Sequence, residues 1–189
     1  KILILAGAGM MGSGTARDLV SAQSDGVARV TVADTTLERA RAVCDAIGDP
    51  RLEPAAVDVS DAAAMGHLIG AADLCINAVP TFAGYQMDIF HACLAAKKPY
   101  VDYGGLGIYT VRQKAEHEQW LAAGATAVLG LGADPGVSNL TCKAVAERLD
   151  TVDRINLYWA ATTRGAESPL LGPPYSVATV LGEYAHPSK

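Results

Sequence analysis

The chain has no stretch approaching the ~18 uninterrupted apolar residues that a membrane-spanning helix requires. The apolar segment at residues 121–133 is interrupted by Gly124, Gly130 and Gly132, and a soluble protein with no membrane partner is expected. Positive charge is also scarce. Fifteen Lys and Arg stand against twenty Asp and Glu, for a net charge of −5. With no basic run to track a phosphate backbone, nucleic acid is not an expected partner. Four cysteines, at positions 44, 75, 93 and 142, occur singly, without a C-x-x-C pair or a histidine at ligand spacing. That pattern argues against a zinc site or a disulfide scaffold and for a reducing, cytoplasmic setting. His67, His91, His117 and His186 show no ligand spacing either, so neither a metal site nor a catalytic histidine is expected. Charged residues make up only 19% and hydrophobic ones 50%, which is unlike a disordered chain. At 189 residues there is room for one domain, or one domain and part of a second.

What is present is an alternation of short apolar runs with longer helical patterns. Residues 2–6, 28–33, 74–76, 100–101 and 125–131 are apolar without alternation, the mark of strands buried on both faces. Lys1 ahead of Ile2-Leu3-Ile4-Leu5 looks superficially like a signal peptide, but the glycines that follow suit a buried strand entering a helix. Helical patterns cover 12–22, 37–47, 85–96, 111–123 and 138–149. Thr35-x-x-Glu38 and Thr110-x-x-Gln113 have the spacing of capping boxes for the second and fourth of these. Strand then helix, repeated about five times, predicts an α/β fold: a Rossmann-type doubly wound parallel sheet. After Leu131 a turn cluster intervenes, then a helix, then a strand at 152–162 containing Tyr158 and Trp159, then a tail rich in Gly, Pro and Ser. We expect a dinucleotide-binding domain at 1–133 and the start of an α/β substrate domain, incomplete here, at 134–189. The chain begins without Met and ends on His186-Pro187-Ser188-Lys189 soon after a new segment opens, which reads as a piece of a longer protein.

Gly7-Ala8-Gly9-Met10-Met11-Gly12 matches G-x-G-x-x-G between a strand and a helix. The first glycine permits the turn, the second lets backbone approach a pyrophosphate, and the third lets helix and strand pack closely. Such a loop can also be a turn that binds nothing. Asp34 closes the second run, 22 residues past Gly12, where a carboxylate accepts from the adenosine ribose hydroxyls. Thr35 follows it. Asp34 would repel a 2′-phosphate, so NAD is expected over NADP, a preference tempered by Arg39 and Arg41. Asp58-Val59-Ser60, at the end of the third strand region, falls at the adenine edge; Ser60 or Asp61 capping the next helix is an equal reading. Asn77-Ala78-Val79-Pro80 and Tyr103-Gly104-Gly105 follow later strands into the ligand crevice and suit the nicotinamide half, or are plain turns. Asp134-Pro135-Gly136-Val137-Ser138-Asn139 follows the sixth strand, either bordering substrate or serving as a linker turn.

Taken together, these segments resemble the saccharopine dehydrogenase-like family. The resemblance lies in residues 4–12, Ala16-Arg17-Asp18-Leu19, Val32-Ala33-Asp34, residues 76–80, residues 100–105 and residues 133–139, in family order. Pro174-Tyr175-Ser176-Val177, Leu181-Gly182-Glu183-Tyr184 and Pro187 look like the lysine 6-dehydrogenase branch. Asp134-Pro135-Gly136-Val137-Ser138-Asn139 instead looks closer to the carboxynorspermidine dehydrogenase form. The resemblance implies a homodimeric oxidoreductase that moves hydride between a nicotinamide cofactor and a C–N bond of an amino-acid substrate, with no metal needed. Lysine 6-dehydrogenation is the leading activity, and carboxynorspermidine- or saccharopine-type imine reduction is the alternative. On this reading Gly7, Gly9, Met10, Met11 and Gly12 carry the pyrophosphate and Asp34 the ribose. Val79, Pro80, Gly104 and Gly105 flank the nicotinamide, and Asp134, Pro135, Gly136 and Asn139 border the substrate. Tyr103 and Asp102 are the candidates for a general base, against the reading that Tyr103 packs and Asp102 caps a turn. A nucleotide-sensing Rossmann domain that performs no chemistry is the alternative from another class.

Overall fold

In a computed structural model, which describes residues 1–21 and 25–158 together with Val177, Leu181 and Ala185, the apolar runs become strands. These are β1 (Ile2–Leu5), β2 (Val30–Asp34), β3 (Leu52–Ala56), β4 (Leu74–Asn77), β5 (Tyr100–Asp102) and β6 (Ala127–Val128). All pair in parallel, in the order β3-β2-β1-β4-β5-β6. The order reverses between β1 and β4, the place where a doubly wound sheet opens a crevice outside the carboxyl ends of its strands. Pro54 lies inside β3, and it is tolerated because β3 is an edge strand with only β2 to pair.

The connecting helices are α1 (Met10–Leu19), α2 (Leu37–Ile47), α3 (Ala62–Ala71), α4 (Gln86–Ala95), α5 (Gly107–Ala115) and α6 (His117–Ala123), and α7 (Val137–Ala146) follows β6. Successive strand residues point to opposite faces, which divides the core in two. Ile4, Val30, Val32 and Ile76 pack with Ala16, Ala40 and Cys44 of α1 and α2. Leu3, Leu5, Cys75 and Tyr100 pack with Ile69, Ile89, Phe90 and Trp120. In the second layer the Phe90 ring meets Tyr100 edge-on at 5.4 Å and Trp120 at 4.7 Å, each large apolar side chain contributing about 1.5–3 kcal/mol by burial. The strand register then sets one rung, Leu5–Asn77–Asp102, across β1, β4 and β5. It places two polar side chains at the carboxyl end of this layer.

Several local expectations are corrected. The first helix begins at Met10, not Gly12, so Met10 and Met11 belong to its first turn. Thr36, not Thr35, caps α2, accepting from the Arg39 amide at 3.3 Å. Thr35 is committed elsewhere: its amide and hydroxyl both donate to Asp34 Oδ1, at 2.9 and 3.2 Å. Thr110 caps nothing, because its helix starts three residues earlier at Gly107 and Gln113 turns inward. That helix also breaks at Glu116, whose carboxylate meets His91 Nε2 at 2.9 Å, giving α5 and α6 in place of one element. β3 ends at Ala56, before Asp58-Val59-Ser60. Residues 152–158 form no strand, and the rest of that expected strand, with the tail motifs at residues 174–176, 182–184 and 187, lies outside the described residues.

α4 ends in a motif that favours glycine but carries lysine. The amide of Lys98 donates to the Cys93 carbonyl at 2.9 Å and that of Lys97 to Leu94 at 3.0 Å, with Lys97 at φ 53°. A side chain in this left-handed region costs about 1 kcal/mol relative to glycine. Lys97→Gly is expected to raise the melting temperature by about 2–4 °C, measured by calorimetry.

Candidate functional site

The loop leaving β1 turns sharply: Ala6 takes φ 56°, the Gly7 amide donates to Ala33 at 2.8 Å and the Gly9 amide to Ala6 at 3.0 Å. Two of the three glycines are required by packing. A Cβ on Gly7 would lie 2.8 Å from Val32 Cγ1, and one on Gly12 would lie 2.5 Å from the Ala6 carbonyl oxygen and 2.7 Å from Gly7 Cα. Gly9 differs, because a Cβ there would meet only the Ala6 carbonyl, at 3.2 Å, and would otherwise fill open space. Beside that space the first turn of α1 leaves the amides of Met10, Met11 and Gly12 without intrahelical acceptors. Gly9 at the N-cap provides no side-chain cap, and no acid lies in the first turn. The positive end of the helix is therefore bare toward the crevice, and a diphosphate fits it by both shape and charge.

Asp34 stands next to this loop. Its Oδ2 accepts from the Ala8 amide at 3.1 Å, while Oδ1 takes the two donors of Thr35 and lies 3.3 Å from Arg39 Nε. The carboxylate is 5% exposed and the arginine 58%, so the arginine stands on the solvent side of the pair. Asp58 follows β3 and folds onto Ser60, accepting its amide at 2.9 Å and its hydroxyl at 2.7 Å. The hydroxyl, then the amide, hold the Asp58 carboxyl below the usual range. Asp61 caps α3 through the amides of Ala63 and Ala64, both at 3.0 Å. Val59 packs against the second core layer.

On the other side of the switch point, Asn77 closes β4. Its Oδ1 accepts the Val79 amide at 3.0 Å, and the Ala78 amide donates to Leu5 at 3.0 Å. Val79 and Pro80 lead into a short 3-10 turn, Thr81–Ala83. Thr81 Oγ1 donates to the Gly104 carbonyl at 3.0 Å, bringing the loops after β4 and β5 together. Gly104 and Gly105 have φ of 74° and 133°. A Cβ on Gly104 would collide with Pro135, and one on Gly105 with the Thr81 hydroxyl. The Asp134–Asn139 turn therefore lies against the loop after β5. Within the turn, Ser138 donates to Asp134 Oδ1 at 2.6 Å and the Gly136 amide to Asn139 Oδ1 at 2.9 Å.

Beneath these loops lies a buried polar network. Asp102 is 1% exposed, and its Oδ1 accepts the amides of Gly104 at 2.9 Å and Gly130 at 2.8 Å. Its Oδ2 accepts Gln86 at 2.7 Å, Gln113 at 2.9 Å and the Tyr100 hydroxyl at 2.9 Å. Asn77 Nδ2 donates to Gln86 Oε1 at 3.1 Å and to Tyr100 at 3.0 Å. Burial, then the Asp102 charge, push the Tyr100 phenol well up, keeping its proton in place for donation. Both Asp102 oxygens are thus engaged by donors within the protein, and Oδ1 ties together the turns after β5 and β6. Tyr103 packs against the first core layer and hydrogen-bonds Thr15 of α1; burial raises its phenol pKa as well. Of the residues brought into the site, Thr15, Thr81 and Gln86 carry no sequence signal and Gln113 carries only a misleading capping one, since each acts through a tertiary partner. Among the described residues no group of three or more His, Cys, Asp or Glu is arranged to hold a metal, and no helix is long and apolar enough to cross a membrane.

A parallel sheet in this strand order, a glycine turn with bare amides at the switch point and an acid closing β2 define a dinucleotide-binding domain. Residues 2–128 match the family model described as the saccharopine dehydrogenase NADP binding domain, and the chain belongs to that family. Apo saccharopine dehydrogenase (L-Glu forming) from Saccharomyces cerevisiae is similar at a TM-score of 0.60 and 21% identity, over 78% of this chain and 30% of that one. A short chain dehydrogenase/reductase family oxidoreductase from Burkholderia thailandensis matches at a TM-score of 0.49 and 16% identity, over 68% of this chain and 66% of that one. At 21% identity the likeness to the yeast enzyme is one of fold. The chain spans less than a third of the yeast enzyme's length.

Proposed function

We propose that this chain is the cofactor-binding part of an NAD-preferring oxidoreductase acting on a C–N bond of an amino acid, of lysine 6-dehydrogenase type. The observation that carries the cofactor reading is the contact between Asp34 and the Ala8 amide, which joins the ribose-binding acid to the pyrophosphate loop. The family match supports a nicotinamide cofactor; the preference for NAD rests on the buried negative charge of Asp34 at the ribose position. The cofactor, when bound, supplies hydride transfer. The amides of Met10 and Met11 hold its diphosphate and Asp34 its adenosine ribose. Val79, Pro80, Gly104 and Gly105 shape the wall against which the nicotinamide lies and keep water from it. Because Asp102 and Tyr103 are engaged within the protein, the proton acceptor belongs to a substrate domain that opens near Asp134. We place the whole enzyme in the cytoplasm, as a homodimer.

The reading is tested with the full-length protein, by following NADH formation from lysine and NAD(P)H loss with an aldehyde and an amino donor. Turnover with lysine supports the leading activity, turnover with the second pair indicates carboxynorspermidine- or saccharopine-type imine reduction, and inactivity with both overturns the C–N assignment. Arg39 bears on cofactor choice, since its exposed guanidinium partly offsets Asp34 and is close enough to the ribose position to turn toward a 2′-phosphate. Arg39→Ala is expected to weaken NADP binding about tenfold while leaving NAD within about threefold, read by calorimetric titration.

A further inference from the structure

The buried network is distributed unevenly across the crevice. All three loops on the nicotinamide side are tied to it: the one after β4 through Asn77 and the Val79 amide, the one after β5 through the Gly104 amide, and the one after β6 through the Gly130 amide. The loops on the adenosine side, at residues 6–12, 34–36 and 57–60, have no hydrogen bond to it among the described residues. Gln113 adds a second constraint. It sits in α5, which begins two residues after Gly105, and its bond to Asp102 folds that helix back over β5. The Gly104–Leu106 loop is thereby held at its entrance by the Asp102 carboxylate, through the Gly104 amide, and at its exit by α5. Gln113 also leaves its Oε1 buried without a partner. The polar contact that accounts for a glutamine here is therefore its donation to the buried Asp102 carboxylate.

Resting on the cofactor reading above, we propose that Asp102, supported by Gln113 and Gln86, is a positioning residue that sets the loops receiving the nicotinamide half of the cofactor and leaves the adenosine half untouched. The test compares NADH with ADP-ribose, which lacks the nicotinamide, by titration into the full chain. The amide that Asp102→Asn introduces either faces the Gly104 and Gly130 N–H groups, displacing their loops, or faces the side chains of Gln86, Gln113 and Tyr100, leaving the loop amides on a neutral and weaker acceptor. Asp102→Asn is expected to weaken NADH binding about tenfold while ADP-ribose affinity stays within about twofold. Gln113→Leu removes one donor and the unpartnered oxygen together. It is expected to fold, the loss of the buried unpartnered oxygen offsetting part of the lost donation, and to lose NADH affinity about threefold, again sparing ADP-ribose. If Asp102→Asn does not fold, Gln113→Leu decides. Equal losses for both ligands, or no loss in Gln113→Leu, overturn the positioning role alone. An unsubstituted chain that binds ADP-ribose as tightly as NADH does the same, and one that binds neither overturns the cofactor reading as well.

Discussion

Gly12→Ala is expected to weaken dinucleotide binding by about a hundredfold, from the addition of a single methyl group. That methyl would sit 2.5 Å from the Ala6 carbonyl oxygen and 2.7 Å from Gly7 Cα, and both obstacles are backbone atoms in the tightest part of the turn. Neither is able to swing aside as a side-chain tip would, so the start of α1 is pushed off β1. The amides of Met10 and Met11 move with it. Each charge-assisted hydrogen bond to a phosphate contributes about 1.5–3 kcal/mol, and two of them misdirected account for the loss. Overpacking of this kind also destabilises the fold by about 1–3 kcal/mol, visible in the same protein by thermal melting. Gly14→Ala is the matched control. A Cβ there meets nothing within 4 Å, and alanine is the better helix former by about 1 kcal/mol. It is expected to bind the dinucleotide normally and melt higher. Normal binding by the Gly12 variant would remove the loop from the site.

Asp34→Ala is expected to lower NAD affinity by about thirtyfold or more. The alanine leaves the Ala8 amide without its acceptor, frees Arg39 from its 3.3 Å partner and removes the carboxylate proposed to hold the ribose. Losing the hydrogen bond of the part-buried Ala8 amide costs about 1 kcal/mol, so the melting temperature falls too. Nicotinamide mononucleotide, which has no adenosine ribose, should bind this variant as it binds the unsubstituted protein. Titration with both ligands checks the assignment: equal affinity of the variant and the unsubstituted protein for the dinucleotide would falsify the ribose-binding role.

Local rules made much of this chain legible. Continuous apolar runs marked the strands, and the glycine spacing with Asp34 after the second run located the turn and its acid. Those signals work because close backbone approach, helix termini and burial on both faces each constrain residues within one turn or one strand. Where two neighbouring residues competed for the same role, the local signal misled. Thr35 has the capping spacing, yet its donors serve Asp34 and the cap passes to Thr36. Thr110 and Gln113 share that spacing, but Gln113 is taken by a carboxylate eleven positions away.

The sequence by itself determined the α/β class, the glycine turn and the acid beside it, because these follow from short-range sterics and the period of the apolar pattern. The tertiary structure alone decided what Asp102, Asn77 and Tyr103 do. Asp102 gathers donors from Gln86, sixteen residues before it, and Gly130, twenty-eight after it, and Tyr103 meets Thr15 across eighty-eight positions. Those meetings depend on parallel register, which only the crossover helices impose, and a carboxylate's role is set by the donors that surround it once the strands are aligned.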